Sequence, residues 1–144
     1  DKLMVQGADL LLQTVQLIEE NKTPREKQDD NLSCYAKMLN NDNCRIDWTK
    51  SAQDIHNLVR GLNSWPVAYT TLNNKKFKIW QTRVTTGTGN PGQIIKLTKQ
   101  SIIVATGEGA IELLEIQPPN KAKMPASSYI NGHKQELENN VSFI

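Results

Sequence analysis

Apolar residues Met4, Ala8, Leu11, Val15 and Ile18 recur at spacings of four and three, which predicts a helix over residues 2–20. Leu3, Leu10, Leu12 and Leu17 fall on its other faces. A helix that is apolar nearly all round requires burial on several sides. It is therefore expected to be the last helix of something larger. The competing reading has it packing on the rest of the chain or pairing with a second copy. Residues 21–44 lose this periodicity; Thr23-Pro24, the charged run Arg25–Asp30 and Asn40–Asn43 are loop chemistry, so the segment reads as a linker. Order returns at Ser51–Leu62, where Ile55, Leu58, Val59 and Leu62 make one helical stripe. Ser51 with Asp54 three residues on resembles a capping box.

Beyond Pro66 the period shortens to that of strands. Val67–Leu72 and Lys75–Val84 flank Asn73-Asn74, a pair suited to a tight hairpin turn. Gln93–Leu97, Ile102–Thr106 and Ile111–Gln117 follow, and Pro118-Pro119 ends the series. Five short strands at close spacing predict a small antiparallel barrel over about 66–118, because closure removes exposed edges. A last helical stretch is expected from Pro125 to Ile130, ended by Gly132. The fold class is thus mainly β, a small OB-like barrel with flanking helices.

Composition narrows this little further. The 144 residues carry a net charge of +2, and the longest apolar run is too short to span a membrane. No basic start followed by an apolar stretch marks a signal peptide. The distribution of charge is more informative. Residues 45–134 hold 12 basic and 5 acidic groups, a net +7, between acidic ends. A basic body suits a polyanionic partner such as nucleic acid; the alternative is a well-solvated surface.

Candidate chemistry follows the cations. Lys75, Lys76 and Lys78 open the second strand, interleaved with Phe77 and Trp80, and Arg83 lies further along it. Lys96 lies on the third strand, Lys121 and Lys123 after the barrel, and Arg45 and Lys50 near the linker junction. Presented to one groove, such residues track a nucleic-acid backbone as OB-type barrels do. Strand alternation puts Lys76 and Lys78 on one face and Lys75 on the other. Trp80 is expected in the core. Gly87-Thr-Gly-Asn-Pro-Gly92 matches a dinucleotide fingerprint only in letters, because a strand follows where a helix is needed. His56 is expected in solvent, and Cys34 and Cys44 as reduced thiols. No catalytic, cofactor-binding or metal-binding residue is expected in this chain.

These pieces in this order resemble the carboxy-terminal half of the methionyl-tRNA formyltransferase family. The resemblance rests on Leu3–Glu20, Tyr35–Lys37, Arg45–Trp48, Asn63–Pro66, Lys78–Trp80, Pro91–Ile94, Val104–Gly109, Leu113–Pro118 and Lys121–Met124. It implies that residues 1–20 are the terminal helix of a truncated Rossmann-like catalytic domain. Residues 21–44 are then a linker and 45–144 an OB-like tRNA-binding domain. It implies a cytoplasmic enzyme that moves formyl from 10-formyltetrahydrofolate to the amino group of initiator methionyl-tRNA. This chain's partners would be that tRNA and its own N-terminal catalytic domain. A monomer is expected, with residues 1–20 as the surface for any association. The family's Asn-His-Asp constellation and Ser-Leu-Leu-Pro segment do not occur in this sequence, so the chain alone is expected to be inactive. The alternatives are the barrel of a sugar-nucleotide formyltransferase and a non-catalytic protein-interaction module.

Overall fold

The computed structural model describes residues 2–36, 38–40, 42–138 and 142–144. The chain divides into two compact units, Asp1–Lys37 and Met38–Ile144. In the first, α1 (Lys2–Glu19) forms as the pattern predicts, and none of its residues is buried. A short 3-10 turn, Asp30–Leu32, follows; Asp29 caps it by accepting from the Asn31 N–H at 2.9 Å.

The second unit holds α2 (Ala52–Leu62), β1 (Ala68–Leu72), β2 (Lys75–Thr85), β3 (Ile94–Leu97), β4 (Ile102–Ala105), β5 (Ala110–Gln117), β6 (Met124–Pro125) and α3 (Ala126–Glu138). The predicted cap of α2 is present: the Ser51 hydroxyl accepts from the Asp54 N–H at 3.1 Å. Ile55, Val59 and Leu62 of its stripe are buried. Asn73 and Asn74 have φ of 50° and 60°, the left-handed pair that a two-residue hairpin turn needs.

The strands form one antiparallel sheet in the order β1-β2-β5-β4-β3, with β6 continuing beside β5. Its two outer edges are joined by the last residues of the chain. Ile144 exchanges two backbone hydrogen bonds with Thr71 on β1, and the Phe143 N–H donates to Gly92 at 2.8 Å, just ahead of β3. Segment 142–144 therefore acts as the closing stave of the barrel, and the Phe143 side chain fills its interior at 3% exposure. Gly92 permits this approach. Its φ is +84°, and a Cβ there would stand 2.2 Å from the Phe143 carbonyl oxygen.

The expectations for the chain's end need correction. The helical stretch expected from Pro125 to Ile130 opens α3 and the backbone kinks at His133 (φ −136°, ψ 22°), just past Gly132; the second helical segment that continues to Glu138 was not expected. Leu137, at 1% exposure, fixes that second segment on the barrel. Two other assignments change. Trp80 is half-buried on the outer face instead of in the core. His56 is half-buried, with Nδ1 2.9 Å from the buried Thr82 hydroxyl. As the sequence indicates, Gly87–Gly92 is a loop between two strands, and Cys34 and Cys44 are free thiols. Among the described residues no helix is long and apolar enough to cross a membrane.

Candidate nucleic-acid interface

The pleat of β2 sorts its residues. Phe77 and Ile79 point inward at 2% and 0% exposure. Lys76 and Lys78 share the opposite face. Pairing places Lys76 across from Thr71, and Lys78 between Tyr69 on β1 and Gln117 on β5. The register breaks on either side of Gln81. A break of this kind bends the strand and re-aims its side chains. Trp80 sits just before it, outward, with Nε1 donating to Gln117 Oε1 at 3.2 Å.

Two cations lie over aromatic planes on this face. Lys76 Nζ is 3.8 Å from the Tyr69 ring centre, and Lys123 Nζ is 5.3 Å from that of Trp80. Such pairs hold a long side chain near one position at a cost well below that of burying its charge. Lys123 also meets Glu115 at 2.9 Å. Lys123 is exposed and Glu115 half-buried, so the bridge contributes no more than about 1 kcal/mol and yields readily to a stronger anion. The outer face of β1, β2 and β5 therefore carries three ammonium groups and two aromatic rings. That combination suits a nucleic-acid strand, in which phosphates alternate with flat bases.

The remaining candidates lie elsewhere. Lys75 points away from Lys76, as alternation requires, and with Lys121 lines a cavity of about 270 Å³ against α3. Arg83 stands beyond the register break and bridges Glu112 at 3.5 Å. Lys96 lines a polar cleft with Thr88, Gln93 and Glu138. Its strand is reached from β2 only across β5 and β4, or around the barrel past β1 and segment 142–144. One groove shared by all these cations does not form, because the strand order separates them.

Arg45 and Lys50 share a cleft with Asp47 and Asp54, so their charge is locally balanced. Asp47 accepts from the Thr49 hydroxyl at 2.6 Å and the Thr49 N–H at 3.0 Å. These two bonds, aided by Lys50, hold its carboxyl below the ordinary value of 3.8. The carboxylate tightens the turn into α2.

Tyr69 was not singled out by sequence reasoning, although counting back from the Asn73-Asn74 turn places it across from Lys78. The cavity beside α3 had no such signal, since Tyr129 and His133 reach it through long-range packing. Among the described residues no group of three or more His, Cys, Asp or Glu is placed to hold a metal ion.

Comparison with known proteins places the chain in a family. Residues 38–134 match the family model described as "Formyl transferase, C-terminal domain". The methionyl-tRNA formyltransferase of Streptococcus mutans is 44% identical over 138 residues, covering 96% of this chain and 44% of that protein. The methionyl-tRNA formyltransferase of Clostridium perfringens is 45% identical over 139 residues, covering 95% of this chain and 45% of the relative. The chain thus spans less than half the length of these relatives. Among solved structures, a variant of HypX from Aquifex aeolicus superposes with a TM-score of 0.65 at 14% identity, covering 88% of this chain and 23% of that one. HypX in complex with tetrahydrofolic acid gives 0.62 at 17% identity, covering 87% and 22%. At such identity these two show the shared fold alone.

Proposed function

Because this chain belongs to the formyl transferase C-terminal domain family, we propose that it is the tRNA-holding part of a methionyl-tRNA formyltransferase. The observation that carries this reading is the outer face of β1, β2 and β5, where Lys76, Lys78 and Lys123 stand among Tyr69 and Trp80. In this reading the lysines hold phosphates and so fix the position of the aminoacyl end relative to the reacting centre. Holding reactants in place is itself a large part of catalysis. Phosphate contacts position the RNA and read no sequence directly. Lys75, Lys121 and Arg83 flank this surface and contribute less; Lys96, Arg45 and Lys50 are peripheral.

The transfer of formyl from 10-formyltetrahydrofolate to the amino group of methionyl-tRNA belongs to the remainder of such a protein, and no residue of this chain is assigned to the formyl donor. The setting is cytoplasmic translation initiation. Residues 1–20 are read as the final helix of the catalytic domain, 21–44 as a linker and 45–144 as the RNA-holding domain. Division of the chain into units ending and starting at 37 and 38 supports that partition.

Two outcomes are expected. Deleting residues 2–19 leaves the melting temperature of the barrel within a few degrees of its original value; a fall of more than about 10 °C, some 2 kcal/mol, would assign the helix to the barrel's own core. In the full-length enzyme, joint replacement of Lys76, Lys78 and Lys123 by alanine raises KM for methionyl-tRNA by at least about tenfold, at roughly 0.5–1 kcal/mol per exposed contact. Its kcat stays within about twofold, because binding lost equally in ground and transition states appears in KM. An unchanged KM would contradict the assignment.

A further inference from the structure

The cavity between the start of β2, the Pro118–Lys121 turn and α3 is not needed by the reading above, yet its walls have a definite chemistry. Phe77 and Tyr129 meet edge to face with ring centres 5.5 Å apart, and both are buried. His133 lies flat on Tyr129 at 4.1 Å and 8°, with Nδ1 3.1 Å from the Tyr129 carbonyl oxygen. The aromatic wall is therefore fixed by α3 itself. Glu136 is held from the other side, where its carboxylate accepts from Asn73 Nδ2 at 3.0 Å. Burial, and then the Glu136 charge, push the Tyr129 phenol above its ordinary 10.0. It remains a neutral donor at physiological pH.

Lys75 and Lys121 line the same cavity, and neither takes part in any ion pair among the described residues. Gln117 connects the cavity to the outer face. Its Oε1 accepts from Trp80, and its Nε2 donates to the Lys121 carbonyl oxygen at 3.0 Å. A strand that crosses the outer face thus meets the cavity at its end.

We infer that this cavity is a subsite for one unpaired nucleotide of an RNA strand, with its phosphate on Lys75 and Lys121 and its base against Pro119 and the outer side of the His133 ring, two half-buried residues of the lining. A volume of about 270 Å³ is at the bottom of the range for small-molecule sites, roughly 300–1,000 Å³. It admits one base and excludes a duplex. Two unpaired cations supply the anion contact, and the His133 ring, half-buried and backed by Tyr129, supplies a flat surface that any base can use. Glu136, the carboxylate in the lining, repels a phosphate near it and accepts from a base N–H instead. This inference rests on the RNA-binding reading and adds a second, distinct point of contact to it.

The experiment is a backbone-amide NMR titration of the chain with adenosine monophosphate, inorganic phosphate, a short RNA duplex and tRNA in turn. Adenosine monophosphate is expected to shift residues 120–121 and 129–136 and to leave Lys76 and Lys78 unmoved. The duplex is expected to do the reverse. Joint replacement of Lys75 and Lys121 by alanine weakens adenosine monophosphate by about tenfold, two charge-assisted contacts, with an unchanged melting temperature. Equal shifts with inorganic phosphate alone, or no shifts at the cavity, would overturn the subsite while salt-sensitive tRNA binding still stood. A chain that binds no tRNA at all would overturn both readings.

Discussion

Gly107→Ala is expected to lower the stability of the barrel domain by about 3 kcal/mol or more, the upper end of the cost of overpacking. A Cβ at this position would lie 1.8 Å from the Thr49 carbonyl oxygen and 2.6 Å from its carbon. Both are backbone atoms and cannot swing aside. They are fixed because the Gly107 N–H donates to the carbonyls of Trp48 and Lys50 at 2.9 and 3.0 Å. The next residue holds the start of α2, with the Ala52 N–H donating to the Glu108 carbonyl at 2.9 Å. A methyl group at Gly107 therefore pushes away the segment that seats α2 on the barrel. The melting temperature should fall by roughly 12 °C or more, read by circular dichroism. Gly61→Ala provides the opposite sign. Gly61 lies inside α2 with nothing within 4 Å of its missing Cβ, so alanine is expected to stabilise by up to about 1 kcal/mol. A Gly107→Ala protein that melts within a few degrees of wild type would refute this docking.

Phe143→Ala is expected to cost about 3–5 kcal/mol, as for other buried aromatic residues. Phe143 is 3% exposed; it stacks on Trp48 at 5.7 Å and meets Phe77 edge to face at 6.2 Å. Trp48 is in turn fixed by its Nε1 donating to the Thr70 hydroxyl at 2.9 Å. The loss is expected to reach the closure of the barrel, because Phe143 anchors the segment that joins β1 to the start of β3. Without the anchor those edges lose their backbone partners. Hydrogen exchange at Thr71 and Ile144 should then accelerate before exchange at β5 in the centre of the sheet. Uniform acceleration across the sheet, or a stability loss under 1 kcal/mol, would show that segment 142–144 is an accessory and not part of the closure.

Local signals made the hairpin and α2 legible. Asn73-Asn74 sets the register of β1 and β2 by itself, and Ser51 with the stripe from Ile55 to Leu62 sets the start and buried face of α2. Signals that depend on distant partners were not legible. Nothing near Phe143 says that it meets Gly92 and that Ile144 meets Thr71, positions some fifty and seventy residues earlier. Gly132 has the local chemistry of a stop and the backbone does kink beside it at His133, whereas the helical segment beyond is held by burial of Leu137, a long-range contact that no local pattern shows. The site shows the same division. Alternation along β2 separates Lys75 from Lys76 and Lys78 correctly, whereas the separation of Lys96 follows from strand order, which spacing along the chain does not encode. Trp80 faces outward by the same alternation that turns out Lys76 and Lys78; its aromatic character alone suggested the core.

The most direct test of the RNA-holding role is the salt dependence of tRNA binding by this chain, followed by the anisotropy of labelled methionyl-tRNA at several salt concentrations. Each phosphate neutralised by a lysine contributes a slope of about −0.7 to −0.9 in log affinity against log salt. The expected result is a steep slope that Lys76→Ala, Lys78→Ala and Lys123→Ala each reduce by roughly one contact, while Lys96→Ala leaves it unchanged. No binding at low salt, or a slope that none of the three changes alters, would contradict the account.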